Sequence, residues 1–121
     1  MSTALPEAAP ARDPGLARAF AALGDPTRLD LVARLHERSG RSISELASGT
    51  PLTRQAVTKH LRVLEGAGLV EARREGRVAR YEIRRERFDD IGAFLRVVSR
   101  QWDDALGRLE SHLSRDDLSN D

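Results

Sequence analysis

Between residues 53 and 67 the chain has apolar side chains at helical spacing, with polar side chains between them. The apolar positions step by three and four residues, which predicts one buried face of an α-helix: Ala56, Val57, Leu61 and Leu64. The other face carries arginine, glutamine, threonine and lysine, whose side chains hydrogen-bond to base edges and phosphates. The pattern therefore predicts an amphipathic helix whose outer face is suited to nucleic acid.

Shorter apolar periodicities predict three helices before this one: residues 16–23, 26–38 and 43–48. Asp25 suits the start of the second helix, because a carboxylate there accepts hydrogen bonds from free amides. Ser42 and Glu45 have the spacing of a capping box at the start of the third helix. In the second helix the spacing predicts a buried stripe, with Ala33 beside it: Leu29, Val32 and Leu35.

Two β-strands are predicted after the amphipathic helix, at residues 69–74 and 78–83. Gly76 lies between them and supplies the positive φ that a tight hairpin turn needs. Because Tyr81 and Ile83 alternate with polar residues, we expect them to pack on the helices. Four arginines then remain to point outward: Arg73, Arg74, Arg77 and Arg80.

A final long helix is predicted from Phe88 to Leu113, with an apolar stripe in steps of three and four residues. The stripe is longer than a small domain needs to cover its own core. We therefore expect part of it to pack, with the first helix, against a second copy of the chain: Leu16, Phe20, Leu95, Val98, Trp102, Leu106 and Leu109. The alternative is that the stripe only closes the core of the monomer.

The order of these elements predicts a mainly α fold with a small β-hairpin, α-α-α-α-β-β-α. This is a winged helix-turn-helix, a fold that holds one helix in the DNA major groove. With 121 residues, one domain is expected, at residues 15–113, forming a homodimer through the first and last helices. Residues 1–14 are expected to form a disordered tail and residues 114–121 a flexible one.

The charge of the chain is unevenly distributed along its length, although the net charge is only +1. Residues 1–53 sum to 0, residues 54–85 to +5, and residues 86–121 to −4. The basic excess thus coincides with the predicted DNA-binding helix and hairpin, where it suits phosphate contact. The alternative is that these are ordinary solvated charges.

Composition excludes several classes of protein. The chain has no cysteine, so it has neither disulfides nor thiolate metal sites. It has no apolar run of 18 residues and no signal-peptide pattern, so no membrane segment is expected and the cytoplasm is the expected location. No carboxylate pair, nucleophile–histidine pair or phosphate-binding glycine loop indicates an enzyme, and no cofactor is expected.

Four segments in order resemble the ArsR family of bacterial winged-helix repressors: residues 20–29 (FAALGDPTRL), 45–47 (ELA), 57–70 (VTKHLRVLEGAGLV) and 74–81 (REGRVARY). The resemblance covers roughly residues 15–110. It implies a homodimer built on the first and last helices. It also implies binding to an imperfect palindrome in a double-stranded DNA operator, which blocks transcription.

The chain departs from the metal-sensing members of the family. Where those proteins have cysteines at the start of the third helix, this chain has Ser42 and Ser44, whose hydroxyls do not replace thiolates for soft metals. The positions that match the other common metal site carry no credible ligand set: Arg85, Arg87, Val98 and Gln101. His36, His60 and His112 are scattered. The chain therefore resembles a branch without the sensing cysteines, no metal is expected, and the inducer is unknown.

Eleven residues are expected to contact DNA: Thr53, Arg54, Gln55, Thr58, Lys59, His60, Arg62, Arg73, Arg74, Arg77 and Arg80. Gln55 could pair with adenine, Arg54 or Lys59 with guanine, and Thr58 with a thymine methyl group. Thr53 could face a phosphate, as could Arg62 and the wing arginines, while Arg77 at the hairpin tip could enter the minor groove. His60 is expected to contact a phosphate or to support the helix.

Two other functions stay open at this point. One is a winged helix that binds a protein and has no DNA target, which the basic segment argues against. The other is a repressor that responds to a small molecule, with a pocket near Trp102 between the first and last helices. A tryptophan in such a stripe more often belongs to a core.

Overall fold

The computed structural model describes residues 13–119, with side chains described as far as residue 115. Five helices and three strands lie in this range: α1 (Pro14–Leu23), α2 (Pro26–Glu37), β1 (Arg41–Ser42), α3 (Ile43–Ala47), α4 (Arg54–Gly66), β2 (Val70–Glu75), β3 (Val78–Ile83) and α5 (Arg85–Ser119). The predicted winged helix-turn-helix order is confirmed, with α3 and α4 as the helix-turn-helix and the β2–β3 hairpin as the wing.

The helix starts follow the local sequence closely. Asp25 accepts a hydrogen bond from the backbone N–H of Arg28 at 3.0 Å, and Thr53 Oγ1 accepts one from Ala56 at 3.0 Å. Ser42 and Glu45 form the predicted capping box, each side chain accepting from the other's backbone N–H. These contacts satisfy free amides in the first turns of α2, α3 and α4.

The sheet has one more strand than expected, in the order β1-β3-β2 with antiparallel pairing. β1 was not predicted because two residues are too few to show an alternating pattern. β2 begins at Val70 rather than Leu69, since Leu69 donates its N–H to the carbonyl of Leu64 in the turn that follows α4. Gly76 has the expected positive φ, +65°, in the hairpin turn.

One hydrophobic core lies between the helices and the inner face of the sheet. α4 contributes Val57, Leu61 and Leu64, all fully buried, as its spacing predicted. The predicted stripe of α2 is wrong at one position, because Leu29 is 53% exposed while Leu31 is buried beside Val32 and Leu35. Ala33, expected beside that stripe, is also exposed. The burial of α4 fixes which of its faces remains outside.

Both terminal helices are longer than predicted. α1 begins at Pro14 with Asp13 as its cap, and α5 continues to Ser119. Asp13, Pro14 and residues 114–119, which we had expected in the tails, therefore belong to regular structure or its cap. The remaining tail predictions, for residues 1–12 and 120–121, lie outside the described residues. No helix in the described range has both the length and the apolarity to cross a membrane.

Candidate nucleic-acid interface

The exposed face of α4 carries most of the predicted base-reading residues. Arg54, Gln55 and Lys59 are exposed, and Thr58 is partly buried. The Thr58 hydroxyl donates to the Arg54 carbonyl at 2.8 Å, which leaves its methyl group free to make apolar contacts. Because the opposite face of α4 is buried in the core, these side chains point outward from the domain.

A cleft of about 450 Å³ separates the wing from the helix-turn-helix. Arg54 at the start of α4 and Arg74 and Arg77 on the wing line this cleft, and all three are exposed. In residues 13–115, whose side chains are described, none of the three has a carboxylate within 4.0 Å. The remaining lining residues are Ser42, Ile43, Ser44, Val78, Ala79 and Arg80. The fold thus gathers unpaired positive charge from two distant parts of the sequence into one groove.

Arg73 and Arg80 both form ion pairs within the wing region, although Arg73 is exposed as predicted and Arg80 is partly buried. The strand register places them side by side on one face of the wing, opposite to the face of Arg74. Arg73 binds Glu82 at 3.1 Å, and Arg80 binds Glu75 at 2.9 Å. The hydrogen bond that Arg80 donates to Glu75 is the largest cause that raises the pKa of Arg80 above its usual value. Their charges are therefore already compensated within the protein.

His60 is directed toward α2 rather than toward the outer face of α4. Its Nδ1 lies 3.9 Å from a carboxylate oxygen of Asp25 and 3.5 Å from the guanidinium of Arg28. The backbone N–H of Arg28 is the main cause that lowers the pKa of Asp25 below its ordinary value. Of the two roles predicted for His60, this position fits support of the helix.

Arg62 is exposed, but the structure does not bring it to the cleft. It lines a separate depression between α1 and the end of α4, where Arg18 and Arg28 also lie. The predicted DNA-binding residues of α4 and the wing therefore fall into two groups, one at the start of α4 with the wing tip and the other at the end of α4.

Tyr81, on the inner face of the wing, is buried, and this burial raises the pKa of its hydroxyl.

The predicted dimer residues fall into two groups. Leu16 was expected at the dimer interface, but it is only 3% exposed. It belongs to the core of its own protomer and is not available to a partner. Phe20 packs edge-to-face on Phe94 of α5, with ring centroids 5.7 Å apart. Val98 is partly buried, and the other predicted residues form an exposed apolar stripe together with Leu113: Leu95, Trp102, Leu106 and Leu109. Trp102 is 64% exposed, so it is not a core residue of the protomer.

Sequence reasoning missed two arginines of α2 that join this helix to α1 and α3. Arg34 of α2 donates to the Leu46 carbonyl at 2.7 Å, and Arg28 donates to the Ala22 carbonyl at 2.7 Å. Nothing in the local sequence separates these arginines from solvated ones, because their acceptors lie six and twelve residues away. Within the described part of the chain, no group of three or more His, Cys, Asp or Glu side chains could hold a metal ion.

Comparison with known proteins agrees with this geometry. A family model described as a helix-turn-helix domain matches residues 23–73. The structure of an ArsR-like transcriptional regulator from Rhodococcus sp. RHA1 is 36% identical, with a TM-score of 0.68, and the match covers 81% of this chain and 92% of that one. A homodimeric winged helix-turn-helix DNA-binding domain from Mycobacterium bovis is 31% identical, with a TM-score of 0.59, covering 73% of this chain and 81% of that one.

A relative from Streptomyces lividans carries the name probable mercury resistance operon repressor. It is 35% identical over 83 residues, which cover 69% of this chain and 66% of that protein. The family model, the matched structures and the arrangement of α3, α4 and the wing all lead to the same assignment. The chain belongs to the ArsR family of winged helix-turn-helix regulators, which bind DNA and control transcription.

Proposed function

We propose that this protein is a repressor that binds a palindromic DNA operator as a homodimer, in the cytoplasm, and that it is not an enzyme. The observation that carries this proposal is the gathering of Arg54, Arg74 and Arg77 around one cleft beside the exposed start of α4. A positively charged groove of this kind follows a phosphate backbone while the adjacent helix reads bases. The name of the Streptomyces lividans relative supports repression as the outcome.

The apolar stripe on α5 supports the homodimer. Trp102, Leu106 and Leu109 are each at least half exposed, and a row of large apolar side chains on one helix is typical of a surface that binds another protein. A second copy of α5 matches this stripe in length and chemistry. The homodimeric Mycobacterium bovis domain, which has the same fold, supports this arrangement.

In this dimer the two α4 helices enter successive major grooves, about 34 Å apart along one face of the DNA. Gln55 pairs with adenine, Arg54 or Lys59 reads guanine, and the Thr58 methyl group meets a thymine methyl. Arg74 contacts a phosphate in the cleft, and Arg77 reaches the minor groove from the tip of the wing. Arg73, Arg80 and His60 are left out of this contact set because the protein already binds their side chains.

Transcription in vitro tests the proposal. A promoter template carries a site recovered by selection from random DNA, and the run-off transcript is measured as protein is added. We expect the transcript to decrease with wild-type protein but not with Gln55→Ala at the same concentration. Glu37→Gln, which changes an exposed side chain at the end of α2 outside the cleft, is the control and should repress like wild type. A transcript that stays constant or increases with wild-type protein would contradict repression.

A further inference from the structure

Arg80 connects three elements that meet beside the DNA-binding cleft. From β3, its Nη1 donates to the Gly40 carbonyl at 3.0 Å and to Glu45 Oε1 at 3.1 Å, and its Nε donates to Glu75 Oε1 at 2.9 Å. Gly40 immediately precedes β1, Glu45 lies on α3, and Glu75 ends β2. The Arg80 side chain is only 29% exposed, so these bonds are partly shielded from water.

Glu45 has two structural functions at the same carboxylate oxygen. Its Oε1 accepts the backbone N–H of Ser42 at 2.9 Å, closing the capping box of α3, and it accepts Arg80 at 3.1 Å. The amide of Ser42 and the charge of Arg80 both favour the ionised carboxylate, and they lower the pKa of Glu45 below its usual value. The start of the helix-turn-helix and the wing are thus joined through one side chain.

The charge around Arg80 argues against its use as a phosphate contact. Two carboxylates, Glu45 and Glu75, lie within 3.1 Å of its guanidinium, whereas Arg74 and Arg77 have none within 4.0 Å in the described residues. The carboxylates and the Gly40 carbonyl already accept from Nε and Nη1 of Arg80, which leaves only Nη2 for a phosphate, and its attraction to Arg80 would be offset by repulsion from both carboxylates. Arg80 is therefore poorly suited to bind DNA directly, although it borders the cleft.

We propose that Arg80 and Glu45 are positioning residues, which fix the angle of the wing relative to α3 so that wing and α4 contact the operator together. This inference rests on the proposed operator binding and adds a role for residues outside the DNA contact set. A specific complex requires all its contacts in one geometry, so a wing fixed before binding loses less conformational entropy. A non-specific complex is held mainly by phosphates and tolerates a mobile wing.

The test compares Arg80→Gln and Glu45→Gln by fluorescence anisotropy with two duplexes. One carries a site selected from random DNA by the wild-type protein, and the other is a random sequence of equal length. Glutamine at position 45 keeps the capping box, since this position accepts Glu or Gln, but it removes the charge that holds Arg80. We expect each variant to bind the selected site on the order of tenfold more weakly, with random-sequence affinity changed less than about twofold.

The salt dependence of binding should be unchanged in both variants, because no phosphate contact is lost. The double variant should lose no more affinity than either single variant, as expected for two residues that act as one unit. Glu71→Gln is the charge control, because Glu71 lies at the base of the wing, 3.4 Å from Arg84, and should bind like wild type. Thermal denaturation of every variant measures its folding separately from its DNA binding.

The opposite result is expected if Arg80 binds a phosphate. Glu45→Gln would then release Arg80 and increase affinity for both duplexes, while Arg80→Gln would weaken both and reduce the salt dependence. Either outcome overturns this inference and leaves operator binding intact. The inference is also overturned if both variants prefer the selected site over random DNA as strongly as the wild type does. A wild-type protein with no preference for any sequence would instead contradict the proposed function, and the inference with it.

Discussion

Replacing Arg77 with alanine should weaken DNA binding much more than replacing Arg73, although each change removes one positive charge from the same wing. Arg77 lies at the hairpin tip, borders the cleft and has no carboxylate within 4.0 Å among the side chains of residues 13–115. Arg73 is bound to Glu82 at 3.1 Å and lies 3.7 Å from Glu75. The two variants therefore have equal net charge, but Arg77→Ala removes an arginine without an ion-pair partner among the described side chains, whereas Arg73→Ala removes one that is already ion-paired.

The size of the effect follows from counterion release. A dimer loses two Arg77 contacts, and with about 0.9 ions released per contact the slope of log K against log salt should decrease in magnitude by about 1.8. At 0.15 M salt this corresponds to an affinity about 30-fold lower, extrapolated from a 1 M reference. For Arg73→Ala we expect a slope within about 0.5 of wild type, since no phosphate contact is lost.

The assay is a titration of labelled duplex DNA with each variant at four or more salt concentrations. Random-sequence DNA is sufficient, because the counterions that the charge of Arg77 displaces from the minor groove are released on all sequences. Equal slopes for Arg73→Ala and Arg77→Ala would refute the reasoning, since they would mean that internal ion pairing does not decide which arginines meet the DNA. A larger loss for Arg73→Ala would refute it even more directly.

Three further predictions concern stability and assembly. Leu61→Ala should lower the free energy of unfolding by about 2–5 kcal/mol in urea titrations, because it leaves a cavity at a fully buried site, whereas the exposed Leu29→Ala should cost less than about 1 kcal/mol. Asp25 has a pKa below its ordinary 3.8, so the stability that its charge provides is present above pH 3.8 and is lost as the pH falls through the lowered pKa. Asp25→Asn keeps a side chain that can cap α2 but has no ionisable group. In urea titrations from pH 6 down to about pH 2, the free energy of unfolding of the wild type should therefore fall to that of this variant. A difference in stability that stays constant with pH would contradict the role of the Asp25 charge. Trp102→Asp should shift the protein from dimer to monomer in light scattering after size-exclusion chromatography, with its helical circular dichroism largely kept, and a dimer that persists would exclude the α5 stripe as the interface.

Local features of this fold could be predicted from sequence because their partners are near in the chain. The Ser42–Glu45 capping box, the Asp25 and Thr53 caps and the Gly76 turn each involve residues within three positions of one another. The buried face of α4 was equally clear, since Val57, Leu61 and Leu64 repeat at helical spacing.

The errors arose where two solutions fit the same periodicity or where the partner lies far away. Leu29 lies three residues before Val32 and Leu31 lies four residues before Leu35, so both fit helical spacing, and only packing against the other helices selects Leu31. The pairing of Arg80 with Glu45 joins residues 35 positions apart, so the sequence could not show that this arginine was already bound. Sequence thus identified the basic wing, while structure separated its free arginines from its paired ones.

The central claim is that a dimer reads a palindrome with two α4 helices, and selection of bound sites from random DNA tests it most directly. Purified protein is incubated with a random duplex library, and the retained DNA is sequenced after several rounds. We predict an inverted repeat whose half-site centres lie about 10 base pairs apart, one turn of the double helix. Recovery of a single half-site, of direct repeats or of no enriched sequence would contradict the account.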